Sequence, residues 1–154
     1  MRVYLEVYGC AANQGDASIM QGILMQKGHE LVDNIKDADA LIILTCTVID
    51  STQQRMIHRI KELKKENKLL VVAGCMASAQ PEIIKEIDKN ILLLPPRNVH
   101  CIADLLNGQK KLYEKPKVEL PRKVDLRLNI PISDGCLYNC SYCITKKARG
   151  NLTS

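Results

Sequence analysis

The chain has 154 residues, of which 46% are hydrophobic and 25% are charged, a balance that fits a globular domain and excludes disordered and fibrous chains. Its longest apolar runs have only the length of a strand and cannot span a bilayer. The N-terminus has no long apolar signal region, so we expect a cytoplasmic protein with no membrane partner. The net charge is −1 over residues 1–108 and +6 over residues 109–154, and the basic part is typical of either a nucleic-acid contact or a solvated linker.

Residues 1–108 alternate between predicted strands and predicted helices. Apolar and β-branched residues predict strands at 3–8, 30–32, 41–44, 69–73 and 91–94. Helical spacing predicts helices at 13–27, 51–67, 81–87 and about 98–106, the first capped by Asn13 or Asp16 and the second by Ser51 with Gln54. Because the strands are apolar without alternation, we predict an α/β fold, an open and doubly wound, mainly parallel five-stranded sheet with helices on both faces.

The rest of the chain has a different pattern. Residues 109–127 are rich in Lys and Arg, contain two prolines and show little helical periodicity, so we interpret them as a basic linker. Residues 128–132 are predicted to begin a new strand, and Gly135 opens a cysteine-rich loop.

Seven cysteines are many for a protein of the reducing cytosol, where a disulfide framework is not expected. An odd number would also leave one thiol without a partner. Metal binding or redox chemistry is therefore the better hypothesis. Cys101 lies inside the last predicted helix and is interpreted as a core residue.

Three cysteines, Cys136, Cys140 and Cys143, lie within eight residues of one another, so their thiolates can converge on one metal centre. Three such ligands on a [4Fe–4S] cluster leave the fourth iron open. The spacing differs from the ferredoxin pattern, and a structural zinc site would need a fourth ligand nearby. No histidine lies within 35 residues of Cys136. Inert or zinc-binding cysteines remain the alternative for this C-terminal cysteine group.

Another three cysteines, Cys10, Cys46 and Cys75, are dispersed but follow predicted strands one, three and four. Ligands of open α/β sheets bind at the carboxyl ends of strands. If the strand order is 2-1-3-4-5, strands one, three and four are neighbours about 4.8 Å apart, so three sulfurs could surround one small cluster. Gly9 and Gly74 precede two of them and allow close backbone approach. Three unrelated core thiols are the alternative for this N-terminal cysteine group.

Four segments carry a resemblance to a known family. Residues 8–16 (YGCAANQGD), 45–48 (TCTV) and 72–77 (VAGCMA) resemble the three cysteine segments of the methylthiotransferase N-terminal domain. Residues 135–143 (GCLYNCSYC) resemble the radical S-adenosylmethionine (SAM) loop that follows it. The chain is therefore identified as a member of the radical-SAM methylthiotransferase family over essentially its whole length.

Two segments, CAAN at 10–13 and ARGNLTS at 148–154, are most similar to the archaeal and eukaryotic branch of this family. That branch converts N6-threonylcarbamoyladenosine next to the tRNA anticodon to its 2-methylthio derivative. The resemblance thus implies a tRNA substrate. Related branches act on isopentenyladenosine in tRNA or on an aspartate of a ribosomal protein, and these substrates remain alternatives.

The resemblance also implies two [4Fe–4S] clusters and SAM as cofactors. Cys136, Cys140 and Cys143 would hold the cluster that binds SAM and cleaves it to a radical, which removes hydrogen from C2 of the adenine. Tyr142 would contact the adenine of SAM, with simple packing as the alternative role.

The auxiliary cluster of the family, which carries the sulfur, would be held here by Cys10, Cys46 and Cys75, and a second SAM would supply the methyl group. Asn13 would hydrogen-bond near that cluster or cap the helix. The resemblance identifies neither the electron donor nor the sulfur source.

The resemblance divides the chain into an N-terminal domain at 1–108, the linker at 109–127 and the beginning of a radical-SAM domain at 128–154. A barrel-type catalytic domain needs roughly 200 residues, so we expect this chain alone to be an inactive fragment. Two other classes remain open. One is a non-enzymatic iron–sulfur or zinc module. The other is an RNA-binding domain that uses Lys110, Lys111, Lys115 and Lys117.

Overall fold

The structure, a computed structural model, describes residues 1–48, 50–109, 111–126 and 128–153. It contains one five-stranded sheet, whose strands are β1 (Arg2–Val7), β2 (Glu30–Val32), β3 (Ala40–Thr45), β4 (Leu69–Gly74) and β5 (Leu92–Leu94). The strand order is β2-β1-β3-β4-β5 and every pairing is parallel. The predicted parallel five-stranded sheet is therefore confirmed, and its order makes β1, β3 and β4 neighbours.

Helices connect these strands and cover both faces of the sheet. They are α1 (Ala11–Gln26), α2 (Asp50–Lys64), α3 (Cys75–Ala79), α4 (Pro81–Ile87), α5 (Ile102–Leu106) and α6 (Ile144–Arg149). Short 3-10 helices occur at Ile35–Asp37 and at Pro96–Cys101. Within the described residues, no helix has the length and apolar character needed to cross a membrane.

The central strand β3 contributes to two separate hydrophobic cores. Ile42 and Leu44 pack on one face with residues of α1 and α5, whereas Leu41 and Ile43 pack on the other with residues of α2, α3 and α4. Because successive side chains of a strand point to opposite faces, a continuously apolar strand must be covered on both sides. The doubly wound α/β architecture follows from this pattern.

The helix boundaries differ from the sequence-based prediction. Helix α1 begins at Ala11 with Cys10 as its N-cap, so Asn13 and Asp16 are not caps. Both side chains instead make buried contacts, which are described below. Helix α2 begins at Asp50, which places Ser51 inside it. The last predicted helix is a 3-10 helix followed by α5, and Cys101, at their junction, is fully buried as expected. Helices α3 and α6 were not predicted.

Residues 111–126 form no helix or strand, but they pack against α1. Leu120 is buried in the core beside α1, and the backbone N–H of Lys123 donates to the Ser18 carbonyl at 2.8 Å. A Cβ added at Gly22 would lie 2.6 Å from the backbone nitrogen of Arg122. This part of the predicted linker is thus held on the surface of the first 108 residues.

The strand predicted at residues 128–132 is wrong, because its described residues form no strand. A strand needs a hydrogen-bonded neighbour, and the described residues supply none there. After it, only two isolated bridges occur within the described residues, Asp134 with Thr153 and Cys136 with Asn151.

Candidate functional site

The N-terminal cysteine group lies at one edge of the sheet, where β1, β3 and β4 end side by side. Cys46 and Cys75 directly follow the last residues of β3 and β4, which are paired in register. Cys10 follows β1 by three residues and caps α1. The three are free cysteines, with Cys75 buried, Cys46 half-buried and Cys10 exposed. The prediction that they share a common edge is therefore confirmed.

Two glycines allow the backbone to turn closely at this edge. Gly9 has φ +111°, and a Cβ there would lie 2.6 Å from Asn13 Nδ2 and 3.0 Å from the Cβ of Cys46. Gly74 has φ +88°, and its Cβ would lie 2.6 Å from the carbonyl oxygen of Thr45. Since a side chain at either position would collide with a neighbour, both glycines are required for this arrangement.

Asn13 is fully buried between the strand ends and the cysteines. Its Nδ2 donates to the carbonyls of Tyr8 at 2.7 Å and Thr45 at 3.1 Å, which joins the ends of β1 and β3. Its Oδ1 accepts from Arg149 Nη2 at 3.0 Å and lies 3.9 Å from the Sγ of Cys75. Asn13 thus holds together the strand ends that precede Cys10 and Cys46.

The protonation of Cys75 reflects its surroundings. Burial raises the pKa of the Cys75 thiol, the charge and hydrogen bond of Arg149 oppose this, and the neighbouring Cys46 and Cys10 raise it further. A metal ion would displace the proton, because metals bind the thiolate.

The donor set suits an iron–sulfur cluster better than a hard cation. Thiolates are soft ligands that select iron–sulfur clusters or zinc, whereas calcium and magnesium require oxygen. Three thiols on neighbouring strands also fit a cluster that keeps one iron open. Among the described residues, no three Cys, His, Asp or Glu side chains already lie close enough to hold one metal ion, so the ligand assignment stays a prediction.

The C-terminal cysteine group lies in a loop that is fixed at its base. The Asp134–Thr153 and Cys136–Asn151 bridges close the loop, and Lys146 Nζ donates to the Cys136 carbonyl at 2.6 Å. Cys143 is the N-cap of α6, and its N–H donates to the Cys140 carbonyl at 3.1 Å. These three cysteines are also free.

Tyr142 is 89% exposed. Its predicted contact with SAM and the alternative of simple packing both stay predictions.

A buried ion network joins the two cysteine groups, and sequence reasoning missed it. Lys117 Nζ donates to Asp16 and Asp134, both at 2.6 Å. Arg149 donates to the same two carboxylates, at 2.9 Å and 2.8 Å. Because Lys117 is held in this network, with only 11% of its side chain exposed, the proposal that it binds RNA is wrong.

Burial and charge act differently on the two carboxylates of this network. Burial raises the pKa of Asp16 despite the opposing charges of Lys117 and Arg149. Burial also acts on Asp134, but the hydrogen bonds and charges of Lys117 and Arg149 outweigh it and lower the pKa of Asp134. The charge of Arg149 is secured by the same partners, since Asp16 and Asp134 raise its pKa against the effect of burial.

One sequence feature could have indicated this network. Asp16 lies three residues before Ile19 and four before Met20, so it falls on the apolar face of the first predicted helix. A carboxylate on such a face needs a cationic partner.

Comparisons with known proteins show the family of this chain. Residues 2–94 match the model of a family described as "Uncharacterized protein family UPF0004". The chain is 43% identical to the probable threonylcarbamoyladenosine tRNA methylthiotransferase of Methanocaldococcus jannaschii and 40% identical to that of Archaeoglobus fulgidus, with all of this chain and 38% of each relative covered. It is 35% identical to a ribosomal protein uS12 methylthiotransferase of Prochlorococcus marinus, with 92% of this chain and 34% of that relative covered. The chain belongs to the UPF0004 family, and the names of these relatives agree with the resemblance of its motifs to the methylthiotransferase N-terminal domain.

Proposed function

We propose that this chain is part of a tRNA methylthiotransferase that converts N6-threonylcarbamoyladenosine next to the anticodon to its 2-methylthio derivative. The chain spans 38% of the length of the two archaeal relatives, so the activity belongs to the whole protein. The observation that carries the proposal is the common edge at which Cys10, Cys46 and Cys75 follow three neighbouring parallel strands. The substrate named in these two relatives supports the choice of nucleoside.

In this proposal each cysteine group holds one [4Fe–4S] cluster, and the C-terminal one also binds SAM. When bound, the clusters and SAM supply the radical and the sulfur that a C–H bond of adenine requires. Cys75 provides a ligand shielded from water, while Asn13 fixes the strand ends that carry Cys10 and Cys46. The exposed ring of Tyr142 is free to cover the adenine of SAM.

The tRNA would contact exposed cations of the basic segment. Lys111 and Lys115 are exposed and can neutralise phosphates. Lys110 lies outside the described residues.

We also propose that residues 1–108 form the N-terminal domain, that residues 109–127 are the linker, and that residues 128–154 begin the radical-SAM domain.

Iron and labile sulfide analysis after anaerobic reconstitution tests the cluster assignment in the full-length protein. We expect two clusters in the wild type and one in each triple variant, Cys10→Ala/Cys46→Ala/Cys75→Ala and Cys136→Ala/Cys140→Ala/Cys143→Ala. Cys101→Ala is the matched control, because Cys101 is buried with its Sγ directed at the Tyr113 carbonyl. One zinc without labile sulfide would contradict the proposal.

Nucleoside mass spectrometry of tRNA from cells that lack the protein tests the substrate. Loss of 2-methylthio-threonylcarbamoyladenosine is expected. Loss of the methylthio group from isopentenyladenosine, or from an aspartate of a ribosomal protein, would instead assign the chain to another branch.

A further inference from the structure

Arg149 connects the two cysteine groups through a single buried guanidinium. It is the last residue of α6, six positions after Cys143, and it is 6% exposed. Its Nη2 donates to Asn13 at 3.0 Å and Asp16 at 2.9 Å, both on α1. Its Nη1 donates at 2.8 Å to Asp134, two residues before Cys136. One side chain therefore hydrogen-bonds both to α1, which follows Cys10, and to the segment just before Cys136.

The helix that carries Arg149 also covers one of the cysteines. Ala148 and Ile144 of α6 pack against Cys75 and Ala79 of α3. Cys75 is 4% exposed in this arrangement. The short helix α6 thus places both the charge of Arg149 and an apolar surface beside the thiol of Cys75.

The backbone after Arg149 is fixed as well. Arg97 Nε donates to the Arg149 carbonyl at 2.7 Å, and Arg97 Nη2 donates to the Asn151 carbonyl. Gly150 has φ +74° and lies against Arg97, so that a Cβ there would be 3.0 Å from Nε. The end of α6 therefore has one defined position relative to the sheet.

We propose that Arg149 is a positioning residue that fixes the N-terminal cysteine group against the C-terminal cysteine group and supplies positive charge beside Cys75. This inference rests on the proposed function, in which both groups hold clusters. Lysine cannot replace Arg149 fully, since a single ammonium does not present the planar fork that reaches acceptors on two segments.

Alkylation of Cys75 in the cluster-free, full-length protein tests the positioning. Arg149→Met leaves the buried carboxylates of Asp16 and Asp134 with Lys117 as their remaining partner in the network. Such a loss raises the equilibrium constant for local opening by roughly 100-fold or more. We therefore expect Cys75 to react roughly 100-fold faster in Arg149→Met, as followed by peptide mass spectrometry. Lys147→Met is the matched control, because Lys147 is exposed on the same helix and carries the same charge; its rate should equal that of the wild type.

The reduction potential of the N-terminal cluster tests the charge. In the Cys136→Ala/Cys140→Ala/Cys143→Ala background only this cluster remains, and an EPR-monitored titration measures its midpoint. Removal of a nearby cation disfavours the reduced, more negative form, so Arg149→Met should shift the midpoint to a more negative value. Arg149→Lys should restore much of the potential but little of the protection of Cys75.

Unchanged alkylation and an unchanged potential in Arg149→Met would overturn the proposal. If that variant does not fold, Asp134→Ala removes the carboxylate that Arg149 shares with Lys117 and leaves the bonds from Arg149 to α1 in place. It should accelerate Cys75 alkylation by a smaller factor, and wild-type behaviour would again overturn the proposal. A wild type without iron at the N-terminal group would refute the proposed function, while the alkylation comparison would still decide the role of Arg149.

Discussion

The two cysteine groups are supported in different ways. Cys10, Cys46 and Cys75 are brought together by the sheet, since each follows a different strand and two glycines allow the close turns. Cys136, Cys140 and Cys143 are close in sequence and lie in a loop that is fixed mainly at its base. The first arrangement depends on tertiary structure, whereas the second depends on local spacing.

The surroundings of the two groups differ accordingly. Cys75 and Asn13 are buried, so changes near them disturb packing and hydrogen bonds. Tyr138 and Tyr142 of the loop are mostly exposed. Substitutions at the N-terminal group should therefore cost stability, while substitutions in the loop should affect binding and leave the fold intact.

The largest effect should come from Gly74→Ala. The methyl group would collide with the Thr45 carbonyl in a backbone conformation that favours glycine, which costs about 3 kcal/mol or more. Gly28→Ala is the matched control: it has φ +78° but no atom within 4 Å, so it should cost about 1 kcal/mol. Urea unfolding measures both, and equal losses would show that the edge is not tightly packed.

Asn13→Ala should have the next largest effect. It removes the amide that joins Tyr8, Thr45 and Arg149, and leaving such buried groups without partners costs about 2–3 kcal/mol. The N-terminal cluster should be lost in preference to the C-terminal one. Asn107→Ala, at an exposed position, should change the free energy of unfolding by less than about 0.5 kcal/mol. Full retention of both clusters by Asn13→Ala would contradict the positioning role of this amide.

A smaller, pH-dependent effect should arise from His100. Burial lowers the pKa of His100, the charge of Lys115 lowers it further, and Asp104 opposes this. The unfolded chain therefore binds the proton more readily. The contribution of neutral His100 is complete above its unfolded pKa of about 6.5 and is lost as the pH falls toward the lower folded pKa.

His100→Phe isolates this contribution, because a ring of similar shape can keep the edge contact with Tyr113, whose centroid lies 4.7 Å away. Urea unfolding between about pH 7 and pH 5 should show a weaker pH dependence in this variant than in the wild type. Identical slopes would mean that the imidazole is protonated equally in both states.

The sheet and its cysteine edge could be predicted because chain direction determines them. In a parallel sheet all carboxyl ends share one edge, so cysteines that follow apolar strands must lie there. β3 is wholly buried, as its apolar run from Ala40 to Leu44 predicts. The strand order is different in this respect, because doubly wound sheets have more than one common order and the sequence does not choose between them.

The ion network could not be predicted in the same way. Asp16 is paired with Lys117 and Arg149, which lie 101 and 133 residues later in the chain. Local sequence does not show which distant segment will cover a helix. The strand expected at 128–132 failed for a related reason, since strand propensity depends on a neighbour with which to pair.

The smallest effect on stability should come from Tyr142→Ala. Tyr142 is 89% exposed, so the free energy of unfolding should change by less than about 0.5 kcal/mol. SAM binding by the reconstituted full-length protein should weaken roughly 2- to 10-fold, because one aromatic contact contributes about that much to the affinity. Tyr138→Ala, 73% exposed in the same loop, is the matched control and should bind SAM normally. If both variants lose SAM equally, the loop acts through its general shape; if only Tyr142→Ala weakens SAM binding while stability is unchanged, the loop combines local spacing with one specific contact.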